Sequence, residues 1–136
     1  MNEDGMEQGG APTIARARRA TLVLVVDDYA PLMGVLVGVL RSRGLDAEGE
    51  TSARRALERV ASDPERFGAV VTDLNMPEMD GLALAEAIRS VAPAVATVVH
   101  SAQPIPASRR SCADAIVPKH EGIDELIREL RALLAR

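Results

Sequence analysis

From Thr21 onward, short apolar runs alternate with longer stretches of helical period. "TLVLVVD" predicts a buried strand that ends abruptly in two carboxylates, Asp27 and Asp28. "PLMGVLVGVLRSRG" predicts a helix, with Pro31 in its first turn and Gly44 past its end. "LDAEGE" is a weaker strand, and "SARRALERVASD" has helical spacing with Ser52 as its cap. The pattern then repeats: "GAVVTD" as strand, "GLALAEAIRSVA" as helix, "VATVVHS" and "ADAIV" as strands. In the last segment, Ile123, Leu126, Ile127, Leu130, Leu133 and Leu134 recur at i, i+3, i+4 and i+7, the spacing of an amphipathic helix.

Strands alternating with helices predict an α/β fold, a parallel sheet covered on both faces. Ligands of such sheets bind beyond the carboxyl ends of the strands, at the point where strand order reverses. Asp27 and Asp28 end the first strand, Asp73 the third and Ser101 the fourth, while Lys119 follows the fifth. All five are expected at one edge. Three carboxylates there would raise one another's pKa unless a positive charge sits among them. Their oxygen ligands suit a hard cation such as Mg²⁺. His100 beside Ser101 suggests a hydrolase pair, but neighbouring strand residues face opposite sides of a sheet. Asp80-Gly81 reads as a turn and helix cap.

Composition narrows the functional classes. The chain has 136 residues, enough for one domain with a real core. Its apolar fraction is 47%, yet Tyr29 and Phe67 are the only aromatic residues, which excludes base stacking on single-stranded nucleic acid. Net charge is −4, with fifteen arginines spread along the chain, so no polyanion-binding stripe forms. Lys119 is the only lysine. A slim, mobile point charge is kept at the one position beside the acidic cluster, where arginine's planar fork is no substitute. Cys112 stands alone, which gives neither a disulfide nor a metal-binding spacing. The apolar run after Arg18-Arg19 stops too soon for an export signal, and no run reaches the roughly 20 residues of a membrane span. A soluble, cytoplasmic protein is expected. Residues 1 to 20, rich in Gly and mixed charge, read as a flexible tail, with one domain over 21–136.

The stretches "LVVDDYAPLM", "VVTDLNMPEMDGL", "VVHSA" and "VPK" resemble the receiver domain of two-component response regulators, most closely the stand-alone chemotaxis-regulator type. The resemblance covers everything except the tail. It implies a flavodoxin-like, doubly wound (βα)5 fold with strand order 2-1-3-4-5. It also implies that Asp73 accepts a phosphoryl group from a histidine kinase or histidine phosphotransfer protein. Asp28 would be the direct Mg²⁺ ligand, Asp27 would act largely through bound water, and Asn75 would add its backbone carbonyl. Ser101 matches the hydroxyl residue that hydrogen-bonds the phosphoryl group, and Lys119 the lysine that pairs with its oxygens. The implied protein catalyses its own phosphorylation and slow dephosphorylation but is primarily a signalling protein with a protein target. No effector domain is expected after the last helix. The competing readings are a receiver-fold module that binds without phosphorylation and a phosphorelay intermediate.

Three departures from the family pattern fall between Ser101 and His120. Pro104 and Pro106 interrupt the opening of the fourth helix, which is expected to be short or displaced. Ile116 stands where Tyr or Phe is common, so the usual aromatic switch is in question. His120 follows Lys119 where the family commonly has a proline after a cis bond, so this loop is expected to be arranged differently. One further feature concerns partners. Pro31 to Leu40 contains no charged residue, with Gly34 and Gly38 on the helix. A helix outside a sheet normally shows a polar stripe, so its alternatives are docking or homodimerisation through this face, or burial under the tail.

Overall fold

A computed structural model describes residues 20–136; the expected tail, apart from Ala20, lies outside the described residues. Its strands are β1 (Leu22–Val26), β2 (Ala47–Glu50), β3 (Phe67–Thr72), β4 (Ala96–Ser101) and β5 (Ala115–Pro118). Its α-helices are α1 (Ala30–Ser42), α2 (Ala53–Ser62), α3 (Gly81–Val91) and α4 (Ile123–Leu134). All strand pairings are parallel, in the order β2-β1-β3-β4-β5. The fold is the flavodoxin-like α/β arrangement that the residue pattern and the family resemblance implied.

Period-two alternation divides β1 between two cores. Val23 and Val25 face α1 and α4, in a cluster with Leu40, Val71, Leu126 and Leu130. Leu24 and Val26 face α2 and α3, against Val60, Val70, Leu84 and Ile88. With few rings available, close-packed branched aliphatic side chains build both layers.

The helix ends follow their sequence signals. The Ser52 hydroxyl accepts the Arg55 N–H at 3.1 Å and caps α2. At the end of α1, Gly44 adopts φ +87°; its N–H reaches Arg41 O and the Leu45 N–H reaches Leu40 O, each at 3.0 Å. This paired closure needs a left-handed residue, which glycine supplies without a Cβ penalty.

Between β4 and β5 there is no α-helix. Residues Ala107–Cys112 form a 3₁₀ stretch instead, after an extended Pro106. Each proline disfavours the helical conformation in the residue before it, Gln103 and Ile105, so the chain stays irregular up to Ala107, and the fourth helix, expected to be short or displaced, is reduced to this 3₁₀ stretch. A single 3₁₀ turn, Lys119–Glu121, follows β5, and no cis peptide occurs among the described residues.

Candidate functional site

The carboxyl edge of the central strands gathers the acidic residues. The Asp27 N–H donates to Glu50 O at 3.2 Å, and the Asp73 N–H to Val26 O at 3.0 Å, so backbone hydrogen bonds continue past the strand ends and fix both aspartates. Asp27 is 8% exposed and its Oδ1 accepts the Tyr29 N–H at 3.0 Å, whereas Asp28 is solvent-exposed. Asp27, Asp28 and Asp73 can each place one carboxylate oxygen within 4.8 Å of the other two. Oxygens on opposite sides of a six-coordinate Mg²⁺ lie about 4.2 Å apart, so small side-chain adjustments bring all three to one ion. The acidic cluster is consistent with Mg²⁺ binding in spacing and in its hard-oxygen chemistry.

Charge balance at this edge comes from Lys119, whose Nζ lies 3.2 Å from Asp73 Oδ1. The same carboxylate oxygen accepts the Leu74 N–H at 2.9 Å. Burial raises the Asp27 pKa, and the Asp73 and Asp28 charges push in the same direction. The Tyr29 N–H and the Lys119 ammonium oppose this rise without cancelling it.

The loop carrying Asp73 is drawn tight by Gly81, the first residue of α3. Its N–H donates to Leu74 O at 2.7 Å, and a Cβ there would stand 2.1 Å from the Asp73 carbonyl oxygen. Asp80 caps the same helix through the Ala83 N–H at 2.8 Å, as its position before Gly81 suggested.

Ser101 and Asn75 meet through a residue that sequence reasoning passed over. Ser101 is 2% exposed; its Oγ donates to Gln103 O at 2.9 Å and accepts the Gln103 N–H at 3.0 Å. The Gln103 side-chain oxygen accepts from Asn75 Nδ2 at 3.1 Å. Asp27, Asp28, Asp73 and Lys119 thus form one cluster, and Ser101 and Asn75 form a second group joined by Gln103. The only sequence signal for Gln103 was its place two residues after a serine, the spacing of a local side-chain turn.

Arg109 also went unnoticed among the other arginines. It pairs bidentately with Asp80, Nη1 to Oδ2 at 2.9 Å and Nη2 to Oδ1 at 3.1 Å, and ties the irregular segment after β4 to the start of α3. This pairing, chiefly the guanidinium hydrogen bond, holds the Asp80 pKa below the usual carboxylate range. Ile116 packs beside Leu82, Val99, Ile105 and Ala113, so an aliphatic contact occupies the position where the family commonly has a ring.

His100 and Ser101 have separate environments. The His100 pKa falls to about 4 because burial disfavours its charged form and the Lys119 charge adds to this, with Asp73 opposing. Its Nε2 is buried without a hydrogen-bond partner. No described helix is long and apolar enough to cross a membrane.

Residues 23–131 match the family model for the response regulator receiver domain. Response regulator MprA from Mycolicibacterium vanbaalenii is 35% identical over 118 residues, covering 84% of this chain and 50% of that protein. Two-component response regulator ORR5 from Oryza sativa is 36% identical over 85 residues, covering 62% of this chain and 56% of that protein. The chain therefore spans about half the length of these curated relatives. Among solved structures, response regulator protein TrrA from Thermotoga maritima, in complex with Mg²⁺-BeF, superposes with a TM-score of 0.75 at 26% identity. That match covers 83% of this chain and 98% of TrrA. In the complex of histidine kinase ThkA with TrrA, the matched chain gives a TM-score of 0.75 at 25% identity, covering 84% of this chain and 98% of that one.

Proposed function

The chain belongs to the response regulator receiver domain family, and from that premise we propose that Asp73 accepts a phosphoryl group in a Mg²⁺-dependent reaction and that the signal passes on through protein contacts. The observation that carries this reading is the meeting of Asp27, Asp28 and Asp73 oxygens within 4.8 Å, with Lys119 Nζ 3.2 Å from Asp73. A histidine kinase or a histidine phosphotransfer protein is the donor; the kinase-bound TrrA structure supports the first.

In the reaction, an Asp73 carboxylate oxygen attacks the phosphorus of a phosphohistidine. The P–N bond breaks and its electron pair goes to an imidazole already protonated on its other nitrogen, which leaves neutral. The product is an acyl phosphate on Asp73. Asp28 and Asp73 would hold the Mg²⁺, with Asp27 acting through bound water and Asn75 through its backbone carbonyl. The ion would supply neutralisation of phosphoryl charge and in-line orientation of the reactants. Lys119 screens the approach of two anions and then pairs with a phosphoryl oxygen. The Ser101 hydroxyl exchanges its bond to Gln103 O for one to the phosphoryl group. Attack by water in the same clamp gives a slow self-dephosphorylation.

Output through the family's aromatic switch is replaced here by aliphatic packing around Ile116 and by the segment that Arg109 fastens. The target is another protein, met in the cytoplasm. Incubation with Mg²⁺ and acetyl phosphate or phosphoramidate, followed by intact mass measurement, tests the reading. A phosphoryl mass gain in the wild type, lost in Asp73→Asn and with EDTA, is expected. If no small donor yields a gain, the receiver-fold module that works by binding alone takes its place.

A further inference from the structure

Beside the acidic cluster, between α1 and the start of α4, lies a cavity of about 290 Å³. Leu32, Val35 and Val39 of α1 face Val71 of the sheet and Ile123 of α4 across it, so its walls are aliphatic. Leu32 is 45% and Val35 63% exposed, which places apolar side chains at its mouth. The volume is near the lower end of the range for small-molecule sites and is too small for a helix of another protein. Neither aromatic residue of the chain lines it, and no other side chain among the described residues fills it.

A second observation concerns His100, which forms part of the same wall. Its Nε2 is buried with no hydrogen-bond partner, an arrangement that a ligand's hydroxyl would relieve. The ring lines the cavity while this nitrogen itself is covered, so binding requires a turn of the ring about its side-chain bonds to present it. The polar end of the cavity also carries Asp27, Asp73 and Lys119. An anionic head would meet more carboxylates than ammonium groups there. A cationic head would compete with the divalent ion for the same oxygens.

We propose that this cavity binds a small uncharged molecule with an apolar body of about one ring and a hydroxyl that hydrogen-bonds the His100 imidazole. The cavity adjoins the phosphoryl-accepting cluster at its polar end, but binding there needs no phosphoryl transfer, so either can fail while the other stands.

The test uses the full chain in Mg²⁺ buffer, titrated with phenol, toluene, benzoate and benzylamine and followed by ¹H–¹⁵N correlation spectra that include the imidazole nitrogens. Phenol is expected to shift the amides of Val35 and Val39 together with His100 Nε2. Toluene, of the same shape without the hydroxyl, is expected to bind roughly fivefold more weakly, the factor for one net hydrogen bond. Benzoate and benzylamine should bind more weakly than phenol. His100→Leu should reduce phenol to the affinity of toluene. Val39→Phe, which fills the cavity, should abolish binding of both; the milder Val39→Leu should weaken both if the larger substitution prevents folding. Phenol that leaves these resonances unmoved, or that binds His100→Leu as tightly as wild type, overturns the proposal.

Discussion

Gly81 and Gly34 both lie in helices, yet the same substitution should act on them with opposite sign. At Gly81 an alanine Cβ would stand 2.1 Å from the Asp73 carbonyl oxygen and 3.1 Å from Thr72 Cγ2. The first distance is 1.3 Å short of the 3.4 Å at which ordinary contact begins, and the obstructing atom is backbone. Overpacking of this kind costs about 1–3 kcal/mol. Reduced freedom of the unfolded chain returns about 0.4–1 kcal/mol, so the midpoints of the two ranges leave a net destabilisation of about 1.3 kcal/mol. At Gly34 nothing lies within 4 Å of the added carbon, and the residue sits in a helix interior, so Gly34→Ala should stabilise by about 0.5–1 kcal/mol. Urea unfolding followed by far-ultraviolet circular dichroism reads both, since the chain contains no tryptophan. Gly81→Ala should also displace Asp73 and slow its phosphorylation by roughly 10- to 100-fold, the penalty for about an ångström of misplacement. Gly34→Ala should leave that rate unchanged. Equal stability of Gly81→Ala and wild type, with an unaltered rate, would refute the close-approach argument.

Arg109→Ala should raise the Asp80 pKa toward its ordinary value, as read by carbon NMR titration. Because the folded-state pKa is depressed, the stability advantage of the wild type is present at neutral pH and disappears as pH falls below 3.8 and through the folded value. His100 has a depressed pKa of the opposite kind: the folded form resists protonation, so the wild type should lose stability relative to His100→Leu as pH falls from 6.5 to about 4. The partly accessible ring is screened, which limits this difference to on the order of 1–2 kcal/mol in urea titrations at the two pH values. Lys119→Met should retain divalent-ion binding, measured by calorimetry, while slowing phosphoryl uptake from phosphoramidate; loss of both together would mean that the lysine mainly organises the acidic cluster.

The elements most legible in the chain were those whose signal is local. The unbroken apolar run in "TLVLVVD" marked a buried strand, and Ser52, Gly44 and Asp80 marked helix ends that the structure repeats. The gathering of Asp27, Asp28, Asp73 and Lys119 was legible too, because a parallel sheet brings the carboxyl ends of its strands to one edge. Contacts made by long side chains across the fold were not. Arg109 reaches Asp80 over 29 residues of sequence, and Gln103 reaches Asn75 over 28, and nothing near Arg109 or Gln103 in the sequence points to so distant a partner. The cavity beside α1 was hidden for a related reason: an uncharged helix reveals that a face lacks polar cover, not how closely its neighbours pack. Ile116 was noted as a missing ring, but its aliphatic neighbours could be seen only in the folded chain.

The central claim is that Asp73 is the phosphoryl acceptor, and chemical trapping addresses it directly. An acyl phosphate formed from phosphoramidate and Mg²⁺ can be reduced with borohydride, which converts the phosphorylated aspartate to homoserine, and the digested peptide can then be sequenced by tandem mass spectrometry. Homoserine at position 73, with Asp27 and Asp28 intact, is the predicted result. Homoserine at 27 or 28 instead, or at no position while the mass of the intact protein has increased, would contradict it.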